Sequence, residues 1–225
     1  NYRGNGTLKL ERDMNSSYVG RVIALIGFVV GCWISFPAQA AVREYWIAAE
    51  KVPWNYAPSG RNLIKPDSGL GVWGETLAYT KYRYIGYTDH TYTKRLVQPE
   101  WMGILGPQLQ AVVGDTLRIH FLNKTDRPLS MHPHGVLYDK DNEGADGTGA
   151  GASVPPGKSY TYTWVADEDA GQGPTDPSSI VWLDHSHVME EEEANRGLMG
   201  PIVITRTAMA PSVPTPPPLP GGRGF

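Results

Sequence analysis

Two short patterns in this chain set imidazoles in pairs: His132-Pro133-His134 and His185-Ser186-His187. In extended backbone, residues i and i+2 project to the same side, so each pair aims two rings at one space. Two pairs from neighbouring strands would bring four imidazoles together. Neutral imidazole is a common metal ligand and suits copper, zinc, iron and nickel. A single His-x-His pair is more often two histidines on a surface or in a satisfied core. Two pairs in a chain with only six histidines point to a metal site. The imidazoles alone do not separate zinc from copper.

The elements that must position these pairs read as strands. Thr116 to Asn123 alternates with period 2 after the turn Gly114-Asp115, and Ser159 to Val165 alternates aromatic and hydroxyl residues. Arg43 to Glu50, Lys81 to Tyr87, Ile180 to Leu183 and Gly200 to Thr205 are further strands. Val52 to Gly60, with Pro53 and Pro58, reads as loop, as do Val136 to Ser153 and Ala166 to Ser178. Many short strands without a long amphipathic helix predict an all-β Greek-key sandwich or barrel over residues 41–206. Residues 207–225 are rich in Pro and Gly and read as a linker or disordered tail.

Residues 1–40 read as a signal peptide with an upstream extension. Met14 is the expected start. Arg21 precedes an apolar run from Val22 to Phe36, and Ala38-Gln39-Ala40 forms an Ala-x-Ala cleavage signal. The run is about 15 residues, short of the roughly 20 needed to span a bilayer, so no stable membrane insertion is expected after cleavage. The expected location is secreted or periplasmic. The formal net charge of −3 and the lack of a basic cluster argue against nucleic acid as a partner. The single cysteine, Cys32, lies in the leader, so the exported domain has neither a disulfide nor a thiolate ligand.

Around the histidines the sequence resembles the multicopper oxidases, in particular the N-terminal cupredoxin domain of the ceruloplasmin-like branch. The resemblance runs from about Glu44 to Thr205. It rests on Leu105-Gly106-Pro107, Gly114-Asp115-Thr116-Leu117, His132-Pro133-His134-Gly135, Val154-Pro155-Pro156-Gly157 and His185-Ser186-His187, in that order. It implies a cupredoxin-like fold and half of a trinuclear copper cluster, the other half coming from a partner cupredoxin domain in the same longer chain or another subunit. By analogy His132 would bind the type 2 copper, His134 and His185 one type 3 copper, and His187 the other. The whole oxidase would couple oxidation of a small reductant, such as Fe(II) or Mn(II), to reduction of dioxygen to water.

One departure limits that analogy. In the family's electron-accepting domains the middle residue of the later motif is a Cys that binds type 1 copper, whereas here it is Ser186. A neutral hydroxyl does not replace a thiolate, so this chain alone is not a complete oxidase and has no electron entry of its own. The competing readings are a non-enzymatic single-domain copper-binding or copper-carrying protein, and a redox-inactive structural cupredoxin. Retention of all four histidines weighs against the last.

Other residues carry weaker signals. Asp184 has two readings: a carboxylate that orients a ligand imidazole or protonates reduced oxygen, or a polar residue at a strand end. Glu190 to Glu193 reads as a solvated acidic loop, and Met189 as packing. Asp139 to Gly144 begins like a calcium loop but lacks its closing Glu, so calcium is a secondary expectation resting on oxygen-rich composition. His90 and His120 are expected not to be ligands.

Overall fold

The computed structural model describes residues 40–71, 77–145, 147 and 149–207. All but the last residue of the leader and all but the first residue of the tail therefore lie outside the described residues. The remainder forms two four-stranded sheets. The first has the order β2-β1-β4-β6 and the second β3-β8-β7-β5. The strands are β1 (Val42–Asn55), β2 (Ala78–Tyr87), β3 (Leu109–Val112), β4 (Thr116–Asn123), β5 (His132–Pro133), β6 (Ser159–Val165), β7 (Ser179–His185) and β8 (Met199–Thr205). Pairing is antiparallel except for β1 with β4 and β3 with β8, which run parallel. This is the expected all-β sandwich.

Period-2 alternation builds the core. Leu117, Ile119 and Phe121 of β4 face inward with Tyr162 and Trp164 of β6, and meet Leu109, Ile202 and Ile204 from the other sheet. At the centre of β1 the alternation stops: Ile47, Ala48, Ala49 and Glu50 are all buried. The reason is a second apolar cluster of Ala48, Ile85 and Tyr87, with Tyr92 packed on it. The loop after β2 therefore covers the outer face of the first sheet, and Tyr92 donates its hydroxyl to the carbonyl of His120 at 2.9 Å. A strand covered on both faces loses its two-residue rhythm.

Three expectations need correction. First, β1 continues through Pro53 to Asn55 where a loop was expected. Beyond Ala49 it pairs only with β2, so one side is an edge where a missing N–H is tolerated. Second, the acidic run is helical, forming α1 (Glu190–Arg196). Acidic residues in a first turn suit the helix dipole, Arg196 pairs with Glu192 one turn earlier, and Gly197 ends the helix at φ 106°. Third, Met189 does not pack: it is exposed just before α1.

Within α1, Glu193 is fully buried and neither carboxylate oxygen has a hydrogen-bond partner among the described residues. A buried polar group left unpaired costs about 1–3 kcal/mol, a cost that an apolar side chain of similar size does not carry. Glu193→Leu is therefore expected to raise the melting temperature by several degrees, at about 2–4 °C per kcal/mol for a domain of this size. Calorimetry on the two proteins checks this, and a lower melting temperature in the variant would count against it.

Candidate metal centre

The second sheet brings the two histidine pairs together. β5 and β7 are antiparallel with His132 opposite His185 and Pro133 opposite Asp184. The chain then runs on so that the His134 N–H donates to the Leu183 carbonyl at 2.8 Å. The His132 ring centroid lies 5.1 Å from that of His134, 5.4 Å from His185 and 5.0 Å from His187. All four predicted imidazoles thus form one cluster. Ligand nitrogens of His132, His134 and His185 lie within 4.8 Å of one another.

The rings are oriented from behind. A backbone carbonyl only accepts, so the 2.6 Å contact between His132 Nδ1 and the Glu143 carbonyl places the proton on Nδ1. The 3.1 Å contact between His185 Nδ1 and the Ser186 carbonyl does the same. In the neutral rings both Nε2 atoms then carry the lone pair, the tautomer a metal ligand requires. His134 Nε2 and His185 Nε2 are 2.9 Å apart. Two nitrogens at roughly 2.0–2.1 Å from one ion and at about a right angle would be about 2.9 Å apart, so this donor pair fits a single transition-metal ion.

Electrostatics favour neutral rings. Burial lowers the pKa of His132, partly opposed by the Glu143 carbonyl, and the neighbouring imidazoles lower it further. Burial and His185 lower that of His134, while Glu190 opposes. A ring that resists protonation is available to a cation over a wider pH range.

Ser186 has a structural task of its own. Its hydroxyl accepts the Ser130 N–H at 3.0 Å, and the Ser130 hydroxyl in turn accepts the His187 N–H at 3.0 Å. The Tyr84 hydroxyl donates to the Ser130 carbonyl at 2.6 Å. These bonds clamp the segment before His132 to the one holding His187. The Ser130 and Tyr84 contacts have no counterpart in sequence spacing. Gly135 sits at φ 71°, and a Cβ there would lie 2.0 Å from the Trp182 ring, so glycine lets the chain turn sharply beneath His134.

Asp184 is buried, and its Oδ1 has no hydrogen-bond partner among the described residues. Burial pushes its pKa up to about 7. The hydrogen bonds that fix the ring nitrogens of His132 and His185 come from carbonyls and not from Asp184. His120 is engaged elsewhere, with Nε2 2.6 Å from Glu44, Nδ1 3.1 Å from Thr161 and its ring stacked on Trp46. In the oxygen-rich loop the Asp139 carboxylate accepts from Asn142, that of Asp141 from the Ala150 N–H, and Glu143 pairs with Lys140. These carboxylates close the loop on itself, and Asp146 lies outside the described residues.

Comparison with known proteins agrees with the geometry. The family model described as Multicopper oxidase matches residues 93–209. Hephaestin of Mus musculus is 40% identical over 192 residues, covering 76% of this chain and 16% of that protein. Ferroxidase HEPHL1 of Homo sapiens is 38% identical over 185 residues, covering 73% and 16%. Coagulation factor V of Homo sapiens is 35% identical over 187 residues, covering 77% and 8%. The chain thus spans about a sixth of the length of the hephaestin it matches. The crystal structure of a multi-copper oxidase from Pseudomonas thermotolerans shares the fold, with a TM-score of 0.51 at 21% identity over 75% of this chain and 31% of that one.

Proposed function

Because this chain belongs to the multicopper oxidase family, we propose that its exported cupredoxin domain supplies half of a copper cluster through His132, His134, His185 and His187. The observation that carries this reading is the 2.9 Å approach of His134 Nε2 to His185 Nε2 from separate segments, with the His185 proton held on the far nitrogen. In the proposed assignment His132 serves the type 2 copper, His134 and His185 share one type 3 copper, and His187 serves the other. Copper, when bound, supplies the one-electron steps by which dioxygen is reduced to water. The domain's own task is to hold the imidazoles in place with the Glu143 and Ser186 carbonyls and the Ser130–Ser186 clamp.

A second cupredoxin unit is needed to complete this site. Val181 and Leu183 lie on the same side of β7 as His185 and are 61% and 44% exposed. Apolar side chains exposed beside an open donor cluster suit a docking partner. One of the relatives is named a ferroxidase, which favours Fe(II) over Mn(II) as the reductant of the assembled protein. Electrons would enter through the other unit, because Ser186 offers no thiolate. Copper is the only metal this reading assigns, since the carboxylates of the 139–143 loop are engaged by protein donors.

The test is a copper count with oxygen uptake. The chain is measured alone and after assembly with a cupredoxin unit that carries a His-Cys-His motif. The reading expects more copper per chain in the assembly, and oxygen consumption on Fe(II) that is lost in His134→Ala and His185→Ala. Equal copper with and without a partner, and no oxygen uptake with any partner, would favour a copper carrier.

A further inference from the structure

One carboxylate of the acidic run, Glu190, faces the histidine cluster. Glu190 Oε2 lies 3.4 Å from His187 Nε2, and its Oε1 lies 3.8 Å from His185 Nε2. One side chain thus faces both imidazoles of the second pair, one oxygen to each. We propose that Glu190 is a further metal-binding group of this half-site, its carboxylate taking copper on the His187 side before a second unit supplies ligands there. This rests on the copper reading above.

Two observations support it besides the distances. Among the described residues, His187 Nδ1 is buried without a hydrogen-bond partner, whereas His132 and His185 are held from behind by carbonyls. That ring is therefore not held from behind, and Glu190 is a charged group that faces its Nε2. In addition, the backbone of Glu190 is fixed by a well-anchored helix. Glu193 buries one side of α1, Arg127 reaches Glu192 at 2.9 Å, and the Arg196 guanidinium lies 5.2 Å from the Tyr82 ring centroid. Chemically, a carboxylate oxygen is an accepted ligand beside imidazole for divalent ions, and it brings negative charge to a site whose other donors are imidazoles. His134 and His185 already offer convergent donors for one ion. His187 lies outside that pair, and Glu190 gives it a companion donor within the same chain.

The full chain, stripped of metal, is titrated with Cu(II) against a competing chelator and followed by electron paramagnetic resonance. The proteins are wild type, Glu190→Gln, Glu191→Gln, His185→Ala and His187→Ala. Gln keeps the size and removes the charge. Glu191 is exposed one residue further on and controls for charge near the site. The expected result for Glu190→Gln is affinity weakened by roughly tenfold together with a changed copper spectrum, while Glu191→Gln matches wild type. Unchanged affinity and spectrum in Glu190→Gln would overturn the proposal, as would equal weakening in both glutamine variants. If wild type binds no Cu(II), or if binding is untouched by His185→Ala and His187→Ala, the copper reading fails as well.

Discussion

Gly144→Ala is expected to destabilise the domain by about 3 kcal/mol and to loosen the His132 side of the site. Gly144 sits at φ 68°, where an added methyl is strained whatever surrounds it. Here the surroundings add more. A Cβ would lie 1.9 Å from the Met131 carbonyl oxygen and 3.1 Å from the His132 nitrogen. Both contacts are backbone, so no side-chain rotation relieves them. The preceding residue, Glu143, supplies the carbonyl that holds the His132 proton on Nδ1, and any shift that clears the clash moves that carbonyl. Gly157→Ala is the matched control: its φ is 72° with nothing within 4 Å of the added carbon. Thermal melts of the metal-free proteins should place Gly144→Ala well below Gly157→Ala, with weaker Cu(II) binding in the former only. Equal melting temperatures would show that the loop yields easily and that this glycine is not needed to seat His132.

The site was more legible in the sequence than the frame around it. His-x-His is a local pattern, and the i, i+2 rule holds once each pair is in extended chain, so the convergence of four rings follows from two short strands pairing. β4 and β6 were legible for the same reason, because each has one face in the core and alternates cleanly. β1 was read short because both its faces are covered at the centre, which erases the alternation, and because Pro53 looks like a strand terminator. β3 carries only Leu109–Val112 and is defined by its parallel partner β8, a long-range contact that four residues cannot announce. The acidic run misled for a different reason. Charge density predicts solvation, but helical geometry sends successive glutamates in different directions: Glu190 toward the histidines, Glu192 to Arg127 and Arg196, and Glu193 into the interior. Only the tertiary position of α1 separates those fates.

Ser186 changes meaning in the same way. In the sequence it marks an absent thiolate. In the structure its hydroxyl is fully buried and joins the two histidine segments through Ser130. A missing thiolate and a structural clamp are compatible, because donors held on two separate segments benefit from a rigid connection between them. Tyr84 reinforces the same joint from the core.

Asp184→Asn is expected to stabilise the metal-free domain above neutral pH while leaving it nearly unchanged near pH 4. Asp184 is buried beside the histidine strand, and desolvation pushes its pKa from 3.8 to about 7. Between those values the folded protein keeps a proton that the unfolded chain has released. Stability therefore falls as pH rises through this window and levels off above it. A shift of about three units corresponds to a penalty on the order of 4 kcal/mol once the group is ionised in both states. Asparagine has no such ionisation, so its advantage should grow from near zero at pH 4 to a few kcal/mol at pH 8. Its amide also needs room: Gly200 would place a Cβ 3.0 Å from Asp184 Oδ2, and the glycine keeps that space open. Urea denaturation of both proteins across pH 4–8, with chelator present, measures the difference directly. A constant offset between them would mean that Asp184 does not titrate in this range and that its burial is compensated. An offset that grows with pH would show that the fold keeps a costly carboxyl next to His185, and the cost would then need a functional return in the loaded protein.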